Sequence, residues 1–224
     1  MKTDTDKSET QRQEQIRAAE ELLFAGPQKL GVAKGLFHGR FVGDWVMPYP
    51  KMPADQQARL DAALPEICRF LDEKLDPVAI DREADIPRDV IAGLGRLGLL
   101  GMTAPVEVGG RGFSQMAYCR VMQEIGARCG STSVFINAHQ SIGMGALLLF
   151  GTPEQKRRWL PALVSGEQLA AFALTEPEAG SDAGNVQTQA RLSADGSHYV
   201  LNGQKRYITN GSIAQVLTVM ARTP

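Results

Sequence analysis

Apolar residues recur at helical spacing as far as about Val164, and beyond Gln168 they recur at every second position, so the dominant hydrophobic period changes from 3.6 to 2 within one chain. Few folds accommodate that switch: helices packed on one another must come first and a β segment afterwards, an α+β arrangement. In the first part Leu60, Leu64, Ile67, Phe70, Leu71 and Leu75 share one stripe of a helix that begins at Ala54, and Pro65 is expected to kink or split it. Pro87 opens a second amphipathic unit whose face is Val90, Ile91, Leu94 and Leu97, broken by Gly98 and Gly101. After a glycine-rich loop (Val108 to Gly112), Ser114 caps a helix burying Met116, Ala117, Val121, Met122 and Ile125. Thr132 to Phe150 is apolar nearly all round, which predicts a helix at the centre of a bundle. Pro153 opens a short charged helix, Glu154 to Val164, that Gly166 closes.

The β part is punctuated by Asp195-Gly196, Asn202-Gly203 and Asn210-Gly211, dipeptides that suit tight antiparallel hairpins because glycine and asparagine tolerate positive φ. Strands are expected at Gln187 to Leu192, His198 to Leu201, Lys205 to Thr209 and Gln215 to Ala221. Such a meander has open edges at this length, so the chain reads as the front part of something longer. Before Ala54 the sequence is polar and irregular: residues 1–53 form an extension and lead-in, with a short helix possible at Ile16 to Phe24 and the spaced Gly31, Gly35, Gly39 and Gly43 read as a loop.

Charge and composition exclude several functions. With 24 basic and 25 acidic side chains the net charge is −1, which does not suit a nucleic-acid-binding surface. Cys68, Cys119 and Cys129 have neither disulfide nor zinc spacing, and His38, His139 and His198 are scattered, so no metal site is expected; His139 reads as a satisfied core histidine. The longest apolar run, Ile142 to Gly151, is about half of the ~20 residues that cross a membrane. The mixed-charge opening has the character of neither a signal nor a transit peptide, which points to bacterial cytoplasm first and a mitochondrial matrix second. A P-loop, a nucleophile elbow and a G-x-G-x-x-G following a strand are all absent.

Chemistry concentrates in two places. Phe172-Ala-Leu-Thr-Glu-Pro-Glu-Ala-Gly-Ser-Asp182 combines the hydroxyls of Thr175 and Ser181 with Gly180, whose missing Cβ lets a phosphate approach the backbone. Those residues fit a loop holding a phosphorylated ligand and equally an ordinary polar turn fixed by Pro177 and Gly180. Tyr207-Ile208-Thr209 offers a ring, an apolar side chain and a hydroxyl, which can stack on and hydrogen-bond to a flat heterocycle.

Together and at this spacing, the two segments resemble the signatures of the acyl-CoA dehydrogenase flavoenzymes. The first, aromatic-x-L/V-T-E-P-x-x-G-S-D, is met by Phe172, Leu174, Thr175, Glu176, Pro177, Gly180, Ser181 and Asp182. The second, N-G-x-K-x-W-I-T/S-N-G, is met from Asn202 to Gly211 except that Tyr207 stands where most members carry tryptophan, offering less ring area. Asp44 to Pro50, Ala138 to Gly143 and Leu149 to Thr152 are similar to the very-long-chain type, and the resemblance runs from about Gly35 to Pro224.

The resemblance implies an N-terminal helical domain at 54–167, part of an antiparallel, barrel-like β middle domain at 168–224, and a C-terminal four-helix domain that this sequence does not contain. It implies FAD as cofactor and oxidation of an acyl-CoA thioester to the trans-2-enoyl-CoA, with a carboxylate taking the α-proton and hydride leaving to flavin N5. Phe172, Leu174 and Thr175 would then line the flavin, Gly180 and Ser181 the pyrophosphate region, with Ser181 also near the acyl-CoA. Tyr207, Ile208 and Thr209 would cover the second flavin face, and Thr132 to Phe150 would help line the acyl channel. The family's base comes from its C-terminal region, so no catalytic base is assigned here; Glu176 and Asp182 are expected to serve loop hydrogen bonding and solvation, and the isolated chain is expected to be inactive. Electron transfer flavoprotein as acceptor and a homodimer are implied in the same way. Two other readings use the same fold: a monooxygenase or nitroalkane oxidase relative, and a scaffold protein that has lost catalysis.

Overall fold

The computed structural model describes residues 31–223. The chain divides into two compact units, 1–51 and 52–224. Within the described part of the first, a short helix α1 (Val32–Phe37) and a 3-10 turn (Gly43–Trp45) replace the expected loop. Gly35 lies inside α1, where a Cβ would come within 3.0 Å of the Arg40 carbonyl oxygen, so that glycine answers to packing rather than to looseness. The helix expected at Ile16 to Phe24 lies outside the described residues.

In the second unit, α2 (Ala54–Lys74) starts where its periodicity begins and buries Leu60, Ala63, Ile67 and Leu71. It runs unbroken through Pro65, so the helix is not split there. Pro65 and Asp61, whose carbonyl loses its i+4 donor, are both exposed, so water can meet that carbonyl. α3 (Pro77–Glu83) is opened by Asp76, whose carboxylate accepts from the N–H groups of Val78 and Ala79 at 3.1 and 2.9 Å. α4 (Arg88–Arg96) follows Pro87 as expected, and its Gly95 sits so close to the end of α8 (Pro153–Ser165) that a Cβ would lie 2.3 Å from the Ser165 carbonyl oxygen. α5 (Gln115–Arg128) is capped by Ser114, whose hydroxyl accepts from Ala117 N–H. α8 itself carries a Thr152/Gln155 capping box and closes on Gly166 at φ 81°.

The apolar stretch forms α6 (Gly130–Asn137), a π turn (Ala138–Gly143) and α7 (Gly145–Phe150). It is not the wholly buried helix that its composition suggests: Leu149 and Phe150 are 75% and 84% exposed. At 21 residues with mean hydropathy 1.3 it meets the length and composition of a membrane span, but its centre is polar and committed. Gln140 accepts from Met102 N–H at 2.9 Å and donates to the Leu99 carbonyl at 3.2 Å. His139, fully buried, accepts from Ala170 N–H on Nδ1 at 2.9 Å, which leaves Nε2 as the protonated nitrogen that donates to the Leu163 carbonyl at 3.0 Å. The π turn thus tethers the helical part to the first strand, and His139 is the satisfied core histidine expected.

Four strands follow: β1 (Ala170–Ala173), β2 (Gln189–Leu192), β3 (Tyr199–Asn202) and β4 (Val216–Val219). β2 and β3 form the expected antiparallel hairpin, Ala190 opposite Leu201, with Gly196 of its turn at φ 69°. β1 pairs with β4 in parallel, Ala170 beside Val216 and Phe172 beside Thr218. The strand expected at Lys205 to Thr209 does not form, and Asn202-Gly203 is therefore not a hairpin turn. Its backbone bonds go elsewhere: Arg206 N–H donates to the Thr175 carbonyl at 3.0 Å, and Tyr207 has φ 57°, which a strand does not tolerate. Asn210-Gly211 sits in a turn, where the Asn210 amide donates to the Phe135 carbonyl at 3.1 Å.

Burial is the dominant influence on His139 and takes its pKa down to about 4. An unfolded imidazole takes a proton near pH 6.5 and the buried one only near 4, so this contribution to stability is complete above 6.5 and is lost as pH falls toward 4. The loss amounts to about 3 kcal/mol. Urea melts at stepped pH should show this slope in the wild type and its disappearance in His139→Gln; an unchanged slope in the variant contradicts the assignment.

Candidate functional site

The first signature segment begins in β1 and leaves the sheet after Ala173. Leu174 and Thr175 are half-buried, Glu176 is 4% exposed, and Glu176 and Ala179 close a tight turn by two backbone bonds of 3.0 and 3.2 Å. Pro177, Glu178 and the run from Gly180 to Asp182 face outward. The second segment leaves β3 and passes alongside: Lys205 Nζ donates to the Leu174 carbonyl at 2.9 Å, and the next residue's N–H donates to Thr175. Two residues of each segment are therefore stitched directly together, 31 positions apart in sequence for Lys205 and Leu174.

Beneath this seam lies the Glu176 carboxylate. One oxygen accepts from Lys205 Nζ at 2.7 Å, from Thr188 N–H at 3.0 Å and from the Thr188 hydroxyl; the other accepts from Gln187 N–H. Burial alone would raise its pKa, but the Lys205 ammonium, the Thr188 hydroxyl and the two N–H groups outweigh that effect and hold it at about 2. The expectation of loop hydrogen bonding for Glu176 matches this geometry, whereas the expectation of solvation does not, since water is excluded. Asp182 is exposed, as solvation requires. Lys205 was legible only as a letter of the second signature, and nothing in the sequence near Thr188 signals its part.

The other signature residues present a mostly open face. Ser181, Tyr207 and Thr209 are exposed, and Phe172 and Ile208 are half-buried. The Arg206 guanidinium lies 4.4 Å from the Tyr207 ring centroid and donates to its hydroxyl at 2.6 Å, covering part of a ring that is otherwise 79% exposed. Thr209 departs from the seam and lines a cavity of about 700 Å³ with Asn210, Ile213, Val134, Phe135 and Asp85. Gly180 has no protein atom within 4 Å of where a Cβ would sit and an ordinary φ, so nothing in the fold requires glycine there. Gly203 is the opposite case, since its Cβ would fall 2.3 Å from Thr188 Oγ1. Among the described residues no three His, Cys, Asp or Glu side chains gather as metal ligands.

Residues 58–167 match the acyl-CoA dehydrogenase N-terminal domain and residues 171–224 the acyl-CoA dehydrogenase middle domain. Over 193 residues the chain is 40% identical to the very long-chain specific acyl-CoA dehydrogenase, mitochondrial, of Mus musculus, covering 86% of this chain and 29% of that protein. Over 214 residues it is 43% identical to the probable acyl-CoA dehydrogenase FadE10 of Mycobacterium bovis, covering 95% and 33%. An acyl-CoA dehydrogenase from Bacillus anthracis solved in complex with FAD superimposes with a TM-score of 0.61 at 35% identity, covering 77% of this chain and 29% of that one. The chain thus spans about a third or less of the length of these relatives.

The two glycines separate packing from openness. Gly203→Ala should cost about 1–3 kcal/mol by driving Thr188 off the carboxylate, while Gly180→Ala should stay within about 0.5 kcal/mol. Thermal melts of both variants check this, and equal losses would contradict it.

Proposed function

The chain belongs to the acyl-CoA dehydrogenase family, and from that premise we propose that it is the N-terminal, cofactor-binding portion of an FAD-dependent dehydrogenase that converts long or very-long-chain acyl-CoA to trans-2-enoyl-CoA. The observation that carries the reading is the seam between the two signature segments, which bonds Leu174 and Thr175 of the first to Lys205 and Arg206 of the second, next to Tyr207, and leaves Gly180 open. These residues fit FAD: hydroxyls for its polar edges, a ring and aliphatic side chains for its flat surface, and an unobstructed glycine where a pyrophosphate needs backbone contact. FAD, when bound, supplies the two-electron acceptor for the oxidation.

Phe172, Leu174 and Thr175 serve one side of the flavin, and Tyr207, Ile208 and Thr209 the other. Gly180 and Ser181 hold the pyrophosphate region, and Ser181 also meets acyl-CoA. Glu176 is not the base. Its oxygens are committed to four donors and its pKa of about 2 leaves it a poor proton acceptor, whereas a general base works best with a pKa near the operating pH. We assign the base to none of the residues here. Electron transfer flavoprotein as acceptor and a homodimeric assembly complete the proposal, in a bacterial cytoplasm or a mitochondrial matrix.

The reading is tested by reconstituting the purified chain with FAD and titrating it anaerobically with palmitoyl-CoA while following flavin absorbance. Bound FAD that does not bleach is expected. Bleaching would place a working base within these 224 residues and overturn the assignment.

A further inference from the structure

We infer that Glu176 and Lys205 are positioning residues for the FAD face, a buried pair that fixes how the two signature segments meet although neither residue touches cofactor. The inference rests on the FAD reading above. Its basis is where the bonds go. Lys205, with its side chain 14% exposed, spends one proton on the Leu174 carbonyl and one on Glu176, so it holds the backbone and the side chain of the first segment at once. Thr175, assigned to the flavin, lies between those two anchoring residues. Tyr207, assigned to the other flavin face, follows Lys205 by two positions, and the residue between them is bonded to Thr175.

A simple ion pair would need only opposite charges. Here the carboxylate also gathers Gln187 N–H and both donors of Thr188, the latter 3% exposed, so the site demands an acceptor on the Glu176 side and a donor on the Lys205 side. Replacing Glu176 by glutamine keeps the shape but turns an amide NH2 toward donors. Replacing Lys205 by methionine keeps the aliphatic stem but leaves the carboxylate and the Leu174 carbonyl without their shared partner. Either change should let the segments drift at the flavin while leaving the hydrophobic core in place.

The test uses the whole 224-residue chain, with FAD affinity read from flavin fluorescence, the bound-flavin absorbance band recorded, and circular dichroism monitoring the fold. Glu176→Gln and Lys205→Met should each weaken FAD binding by about tenfold or more and shift the band, because loss of one buried partner strands the other. Lys205→Arg, which restores a charged donor, should recover most of the affinity, and Glu178→Gln at an exposed neighbour should leave both readouts at wild type. Folded Glu176→Gln and Lys205→Met proteins with wild-type affinity and band would overturn the inference. Should both fail to fold, Thr188→Val decides, since it removes one donor to the carboxylate: weakened binding by a folded protein supports the inference and unchanged binding overturns it. A wild-type chain that binds no FAD overturns the cofactor reading itself, and the positioning role with it.

Discussion

A carboxylate taken out of water is tolerated only where the fold surrounds it with donors, and Glu176 draws them from two stretches of chain: Lys205, and the adjacent Gln187 and Thr188. That requirement organises much of the β part. It fixes Thr188 at the entry to β2, and the Thr188 carbonyl in turn accepts from Arg222 N–H at 2.8 Å, so the stretch after β4 is tied to the same point. It draws the chain after β3 back across the first signature segment, which is why that stretch becomes a seam rather than a strand. Gly203 is needed to let the backbone pass over Thr188.

A second joint anchors this arrangement to the helices. His139 in the π turn holds β1 through Ala170 N–H, the Thr218 hydroxyl of β4 donates to the Gly143 carbonyl at 3.2 Å, and Asn210 reaches from the second segment to the Phe135 carbonyl. Consecutive buried polar residues such as His139 and Gln140 would diverge on an ordinary helix. The wider π turn lets both find partners inside the unit. The result is a frame in which the groups assigned to FAD are half-buried or exposed, while Glu176 and Thr188 beneath them are buried.

Much of this frame was legible in the residues. Starts and stops at Ser114, Pro87, Pro153 and Gly166 act through local backbone chemistry, so their sequence signals survive into the structure. The two signature segments carry the family by themselves. What was not legible depends on partners distant in sequence. Parallel pairing of β1 with β4 leaves no local mark, because hairpin dipeptides report only neighbouring strands. Lys205 to Thr209 lies between two turn dipeptides and carries strand-favouring Tyr, Ile and Thr, yet Lys205 and Arg206 are bonded to Leu174 and Thr175. Pro65 reads as a helix breaker only if the carbonyl it orphans is buried, which a sequence does not show. Leu149 and Phe150 read as core because apolarity alone does not say which side is covered.

The central claim is that the seam joining Leu174–Thr175 to Lys205–Arg206 presents the face that receives FAD. Backbone amide hydrogen exchange of the chain, compared with and without saturating FAD, tests it most directly. Exchange should slow in both 174–182 and 205–211 when FAD binds. Protection confined to other segments, or to only one of the two, would contradict it.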